Sequence, residues 1–309
     1  MKKRRLGASG LKVSEVGLGC NNFGMRIDQA ETKAVVDAAL DAGITLFDTA
    51  DIYGGTKSEE FLGKALGKRR GDIVLATKFG MQVGDDENRR GGSRRWIMRA
   101  VEDSLTRLGT DWIDLYQFHQ PDPDTPIDET LRALDDLVTQ GKVRYIGNSN
   151  FSGWQIGDAD WTAAGATRFV SAQNQYSLLE RKVEFEVLPA CEHFGLGFLP
   201  FFPLASGLLS GKYRRGEKPP EGTRLAAWGS RAAAALSDRN FDKVEKLTTW
   251  AEERGHTILE LAFAWLLGHQ VVSSVIAGAT SAEQVRTNAA TAAWALTPEE
   301  VKEVGDLIS

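Results

Sequence analysis

The chain has 309 residues, enough for one large α/β domain or two small ones, and its 42% apolar and 26% charged residues are ordinary for a globular protein. A net charge of −5 and a pI near 5.6 give no electrostatic reason to expect nucleic acid or an anionic membrane as partner. No apolar run approaches the roughly 20 residues of a membrane span, the basic start MKKRR is not followed by the apolar stretch of a secretory signal, and Cys20 and Cys191 are too few and too isolated for a disulfide framework or a thiolate metal site. A reducing, cytoplasmic setting is the default expectation.

The first element is a hairpin: RRLGASGLKV places turn residues between two short runs. Eight strand candidates follow. They are VGLGC (16–20), ITLFD (44–48), IVLATK (73–78), IDLYQFH (113–119), VRYIGNS (143–149), FVSAQNQ (169–175), LGFLPFF (196–202) and SSVIAGA (273–279). Amphipathic stretches of helical period separate them, among them 30–43, 93–109, 125–141 and 257–269, and many begin at Ser, Thr or Asp or end at Gly, as capped helices do. Strands alternating with helices imply right-handed βαβ units and a parallel sheet. Eight such units in a chain of this length predict a closed (β/α)8 TIM barrel, with one domain over 1–309. The one long interruption, roughly 212–240, follows the seventh strand, and loops of that length are commonly functional lids or disordered segments.

In such a barrel the residues just past the strand ends share one mouth, where active sites sit. Asp48 ends the second barrel strand, with Tyr53 on the glycine loop after it. Lys78 ends the third and His119 the fourth. Taken singly, each has an ordinary explanation: a loop-capping Asp, a packed Tyr, a snorkelling Lys, a hydrogen-bonded structural His. Their convergence on adjacent strands changes the reading. A buried Lys needs a counter-charge, which Asp48 can supply, and the ammonium is then expected to lower the pKa of the Tyr53 phenol and make it a usable acid. His119, neutral, can hold a carbonyl oxygen in line with that hydroxyl.

The segments FDTADIYG, LATKFG, SLTRLGTDWIDLYQFHQPDPDTP, GKVRYIGNSNF, AQNQYSLLER, FPLASGLLSGKY and IAGATSAEQVRTNA resemble the successive signatures of the aldo-keto reductase superfamily, in order, from about residue 3 onward. The resemblance implies NAD(P)H-dependent carbonyl reduction on a barrel without a Rossmann domain, with Asp48, Tyr53, Lys78 and His119 as the catalytic tetrad. It implies a nicotinamide site at Ser149, Asn150 and Gln173, flanked by Cys20, Asn21 and Asp48, with Phe201 stacked on the ring and Phe202, Pro203 and Leu204 beside it. Ser206 and Gly207 would wrap the pyrophosphate, Lys212 and Arg224 suit phosphates, and Gly278, Thr280, Gln284 and Asn288 match the adenosine and 2′-phosphate site. Relatives often carry basic residues where Gly278 and Gln284 stand and an acid where Thr287 stands. NADPH remains the expected cofactor despite these departures, with NADH open. Phe23, Met25, Phe79, Met81 and Trp228 are candidate apolar walls for a small carbonyl substrate beside Tyr53 and His119. Oligomeric state has no signature in the sequence.

Other readings fare worse. YGGTK (53–57) matches the Tyr-x-x-x-Lys of short-chain dehydrogenases, but that pattern needs a helix, which two consecutive glycines oppose. GLGCNNFG lacks the glycine spacing of a dinucleotide fingerprint, and the four histidines lack paired ligand spacing, so no metal is expected. A Schiff-base barrel would need Lys78 free of its carboxylate. A redox-sensing regulatory barrel, as in the potassium-channel β subunits that the chain also resembles, is disfavoured by retention of His119, which those relatives replace.

Overall fold

A strand pair, β1 (Lys3–Arg5) and β2 (Lys12–Ser14), opens the computed structural model, which describes residues 1–309. It is the expected hairpin, antiparallel with Arg4 opposite Val13. The barrel strands are β3 (Val16–Gly19), β4 (Leu46–Asp48), β5 (Val74–Phe79), β6 (Ile113–Phe118), β7 (Val143–Ser149), β8 (Phe169–Gln173), β9 (Gly197–Phe198) and β10 (Val275–Gly278). All are parallel, ordered β10-β3-β4-β5-β6-β7-β8-β9. A bridge between Phe198 and Val272 and a bond from Ile276 N to Pro200 O join the last strand region back to β10. The eight strands in a curled parallel sheet with flanking helices are the (β/α)8 fold read from the sequence.

Each of the first five connections carries one helix of ordinary capping chemistry: α1 (Gln29–Asp41), α2 (Lys57–Leu66), α3 (Arg94–Leu108), α4 (Ile127–Thr139) and α5 (Gly153–Thr162). Asp28 and Glu31 form a capping box at α1, while Ser93 and the left-handed Gly109 bracket α3. Helix α6 (Val187–Phe194) precedes β9. The seventh strand is shorter than its apolar run: regular pairing ends at Phe198, and Leu199, Pro200 and Phe201 keep isolated backbone bonds to the neighbouring strand regions, with a bridge from Phe201 to Gln175. The long segment that follows is not structureless. It holds a 3₁₀ stretch at Ala205–Ser210 and the short α7 (Arg224–Trp228) before α8 (Asp238–Glu252) and α9 (Ile258–Gly268). Helices α10 (Ala282–Ala290) and α11 (Pro298–Leu307) complete the chain.

Strand periodicity sorts the interior into two levels. Leu46, Ala76, Leu115, Leu199 and Ile276 share a small apolar cluster with Leu6 and Val13, so the hairpin plugs the barrel from below. Burying each such Leu or Val stabilises by about 1.5–3 kcal/mol. Two residues beyond Leu46, Ala76 and Leu115 the inward positions turn polar at Asp48, Lys78 and Gln117, and Ser149 and Gln173 join that level from β7 and β8, all buried. The residues between them face outward into the main core under the helices, as Phe47, Leu75, Phe79, Tyr116 and Phe118 do.

Helices α2 and α3 meet at Gly63, where a Cβ would lie 2.3 Å from Leu108 O. Helix propensity alone favours Gly63→Ala by about 1 kcal/mol; the backbone contact predicts the opposite, a loss of about 1–3 kcal/mol. Urea denaturation of the variant decides, and a raised midpoint would show that the helices tolerate separation.

Candidate active site

Asp48 sits at the centre of the polar level. Its Oδ2 accepts from Lys78 Nζ at 2.6 Å, and its Oδ1 accepts from the Nε2 atoms of Gln117 and Gln173, each at 2.9 Å. Lys78 also donates to Thr49 O at 2.9 Å and to the Tyr53 hydroxyl at 3.3 Å. Both members of the pair are buried, Lys78 at 1% exposure and Asp48 at 3%. Such a pair is tolerable only when its remaining donors and acceptors are satisfied, and here two amides and a carbonyl do so. Gln117 was not singled out in the sequence. Its alternation with Leu115 in an inward-facing register was the available signal.

Tyr53 reaches this cluster because the chain turns sharply after it. Gly54 and Gly55 are both left-handed, and a Cβ on Gly54 would stand 2.5 Å from Phe23 O. With Thr56 also at positive φ, the YGGTK segment is a turn and not a helix. The rings of Tyr53 and His119 meet edge to face at 5.8 Å. Thus Asp48, Tyr53, Lys78 and His119 come together, with Lys78 behind the other three, which line a cleft of about 760 Å³.

The electrostatics correct one expectation. Burial raises the pKa of the Tyr53 phenol; Lys78 opposes that, Asp48 reinforces it, and the net shift is upward, not downward. The ion pair cancels much of the ammonium's field at the phenol. Burial also works against the Lys78 ammonium, but Asp48 and Tyr53 outweigh it and its pKa stands above the ordinary lysine value. His119 is driven down to about 3 by burial and by the Lys78 charge, so it is a neutral imidazole at physiological pH. Its Nδ1 is buried without a partner.

All eighteen residues expected to hold a dinucleotide line this one cleft. At its inner end Ser149 Oγ donates to Gln173 O at 2.8 Å, and Asn150 Nδ2 donates to His119 O at 2.9 Å. Asn150, Phe202 and Ser206 in the cleft lining, and Ala205 beside them, are non-glycine residues at positive φ, a concentration of backbone strain around the cleft. Lys212 occupies the space that a side chain on Gly207 would fill, 2.8 Å from its missing Cβ, and Arg224 stacks on the Phe202 ring at 5.1 Å. Toward the other end Gln284 Oε1 accepts from Thr280 N at 2.9 Å, and Asn21, Gly278 and Asn288 also line the cleft, while Cys20, whose N–H donates to Asp48 O, lies beside the tetrad. Asn22, Arg26 and Ser210 also line the cleft and were not foreseen.

The expected apolar walls lie elsewhere. Phe79 alternates with inward Lys78, so it points outward and stacks on Tyr116 and Phe118 in the core. Phe23 is fully buried beneath the Tyr53 loop. Met25 and Trp228 are exposed, and neither they nor Met81 line the cleft.

A parallel barrel with a buried acid, base and phenol at its mouth and a long groove leading away from them defines a barrel oxidoreductase. The aldo/keto reductase family model matches residues 15–309, and the chain belongs to that family. It is 40% identical to an uncharacterised oxidoreductase, YrpG, of Bacillus subtilis, over 99% of this chain and 96% of that protein. It is 38% identical to a probable voltage-gated potassium channel subunit beta of rice (Oryza sativa subsp. japonica), over 98% of this chain and 95% of that one. Versiconal hemiacetal acetate reductase of Aspergillus parasiticus is 36% identical, over 98% and 95%. Family membership and the oxidoreductase relatives support NAD(P)H-dependent carbonyl reduction as the general chemistry. No helix is long and apolar enough to cross a membrane.

Removing the ammonium would strand the Asp48 carboxylate in the barrel. Lys78→Met is expected to cost about 3–5 kcal/mol in chemical denaturation, while Lys78→Met with Asp48→Asn should recover part of that loss. For His119 the folded pKa lies below the unfolded one, so its contribution to stability is present above about pH 6.5 and falls away as pH drops toward 3. Long-range nitrogen NMR at pH 5 should still show a neutral ring, and an imidazolium signal there would contradict the assigned environment.

Proposed function

We propose that this protein is an NADP-dependent reductase that converts an aldehyde or ketone to an alcohol, with Tyr53 as general acid. The observation that carries this reading is the Tyr53 hydroxyl, 3.3 Å from a paired lysine at the inner end of a cleft furnished along its length for a dinucleotide. The residues fit such a ligand. The cleft has amides and a hydroxyl for a carboxamide at Ser149, Asn150 and Gln173, an aromatic face at Phe201, and cations at Lys212 and Arg224. Asn22 Oδ1 is a buried acceptor there with no partner in the protein.

When bound, the dinucleotide would supply the hydride from its nicotinamide ring. The protein's own work is positional and electrostatic. Neutral His119, carrying its proton on Nε2, donates to the substrate oxygen and orients the carbonyl beside Tyr53. As that oxygen gains charge, Tyr53 transfers its hydroxyl proton to it, and the phenolate left behind is stabilised by Lys78. A raised phenol pKa suits this role. The acid stays protonated until a much stronger base, an alkoxide, forms next to it. Asp48, held by Gln117 and Gln173, keeps Lys78 charged and aimed at the hydroxyl.

Tyr53→Phe should reduce carbonyl turnover by about 10²–10⁴-fold while NADPH still quenches tryptophan fluorescence with nearly the parent affinity. Full activity in that variant would remove Tyr53 from the acid role. Failure of the parent protein to bind either nicotinamide dinucleotide would remove the reductase reading altogether. A panel of aldehydes, ketones and sugars, followed by NADPH absorbance, identifies the substrate class.

A further inference from the structure

Arg26 lies on the loop between β3 and α1, far in sequence from the long segment after β9, yet its guanidinium donates to Gly222 O across the cleft. Lys212 and Arg224 come from that long segment and line the same part of the cleft as Arg26. These three cations act on one another. Burial depresses the pKa of Lys212 and so do Arg26 and Arg224; burial and Arg26 likewise depress that of Arg224, and no carboxylate offsets either shift. The contrast with Arg215, in the same segment, is informative. Arg215 faces outward and binds Asp238, Asp242 and Glu245. Two acids, Glu221 and Glu283, also line the cleft, yet neither forms an ion pair with Arg26, Lys212 or Arg224, whereas three acids pair with the outward Arg215.

Three converging cations, none of them in an ion pair, describe a site for a concentrated anion. A dinucleotide offers two kinds. The pyrophosphate carries about one charge per phosphate and would lie along the left-handed backbone at Ala205–Gly207. A phosphate monoester carries about −1.5 to −2 on three terminal oxygens, which matches three cations better. We propose that Arg26 is a specificity-determining residue: with Lys212 and Arg224 it closes a three-cation clamp on the 2′-phosphate that distinguishes NADPH from NADH. This rests on the reading that the cleft binds a nicotinamide dinucleotide. Gly278 and Gln284 present no cation on the α10 side, so the charge comes from the opposite rim. One donor of Arg26 is spent on Gly222 O and the rest of the guanidinium fork remains for oxygens.

Arg26 is exposed, so Arg26→Gln should fold as the parent does, which circular dichroism checks. Calorimetric titration of both proteins with NADPH, NADH, adenosine 2′,5′-bisphosphate and 5′-AMP needs no turnover. Loss of a charge-assisted contact predicts that the Kd for NADPH and the bisphosphate rises about tenfold or more, while NADH and 5′-AMP change less than about twofold. Arg26→Lys should restore part of the preference. Equal weakening of NADPH and NADH would place Arg26 on the pyrophosphate or make it only a tie to Gly222, and would overturn the assignment, as would an unchanged ratio. If the parent binds both dinucleotides and only the ratio fails to move, the Arg26 assignment alone falls. If the parent binds neither, the reductase reading falls with it.

Discussion

The ion pair between Lys78 and Asp48 is the constraint around which the barrel mouth is organised. Two opposite charges at 2.6 Å, almost without exposure, are costly to desolvate, and they persist because every remaining valence is met. Gln117 and Gln173 reach Asp48 from two further strands, so the carboxylate ties together β4, β5, β6 and β8. Such a network leaves the lysine little freedom. Its ammonium is held toward one hydroxyl, that of Tyr53, and it is this fixed direction, more than any large shift in acidity, that the pair contributes to chemistry.

That arrangement revises how the phenol is activated. A lone cation beside a tyrosine would lower its pKa; here burial outweighs the lowering by Lys78, and the Asp48 carboxylate adds to the upward shift. The outcome is a phenol that keeps its proton at neutral pH next to a histidine that does not acquire one. One group donates and the other orients. The two roles are separated by environment and not by residue type alone.

Away from this centre the molecule changes character. The cleft leaves the barrel between the β3–α1 loop and the long segment after β9, and its walls carry left-handed non-glycine residues and uncompensated cations. Strain and like-charge repulsion are both unfavourable in isolation, and both concentrate where a ligand would relieve them. Below the mouth, by contrast, the hairpin seals the barrel with an apolar plug built without the polar residues of the site.

Much of this was legible in the linear chain. Apolar runs alternating with capped amphipathic stretches specify local structure, and eight repeats leave few topologies open, so the barrel, its hairpin and its long loop follow from short-range physics. Asp48, Lys78 and His119 could be assigned to the mouth because each directly ends such a run. The misplaced residues share one cause. Phe79 sits beside Lys78 in sequence but on the opposite face of its strand, and Phe23 in a turn and Trp228 at the end of the short α7 belong to segments whose direction no periodicity encodes. Gln117, Arg26 and the balance of fields at Tyr53 likewise required the fold. Their significance lies in contacts between strands and loops far apart in the chain, and a through-space interaction has no local trace until closure of the barrel brings its partners within reach.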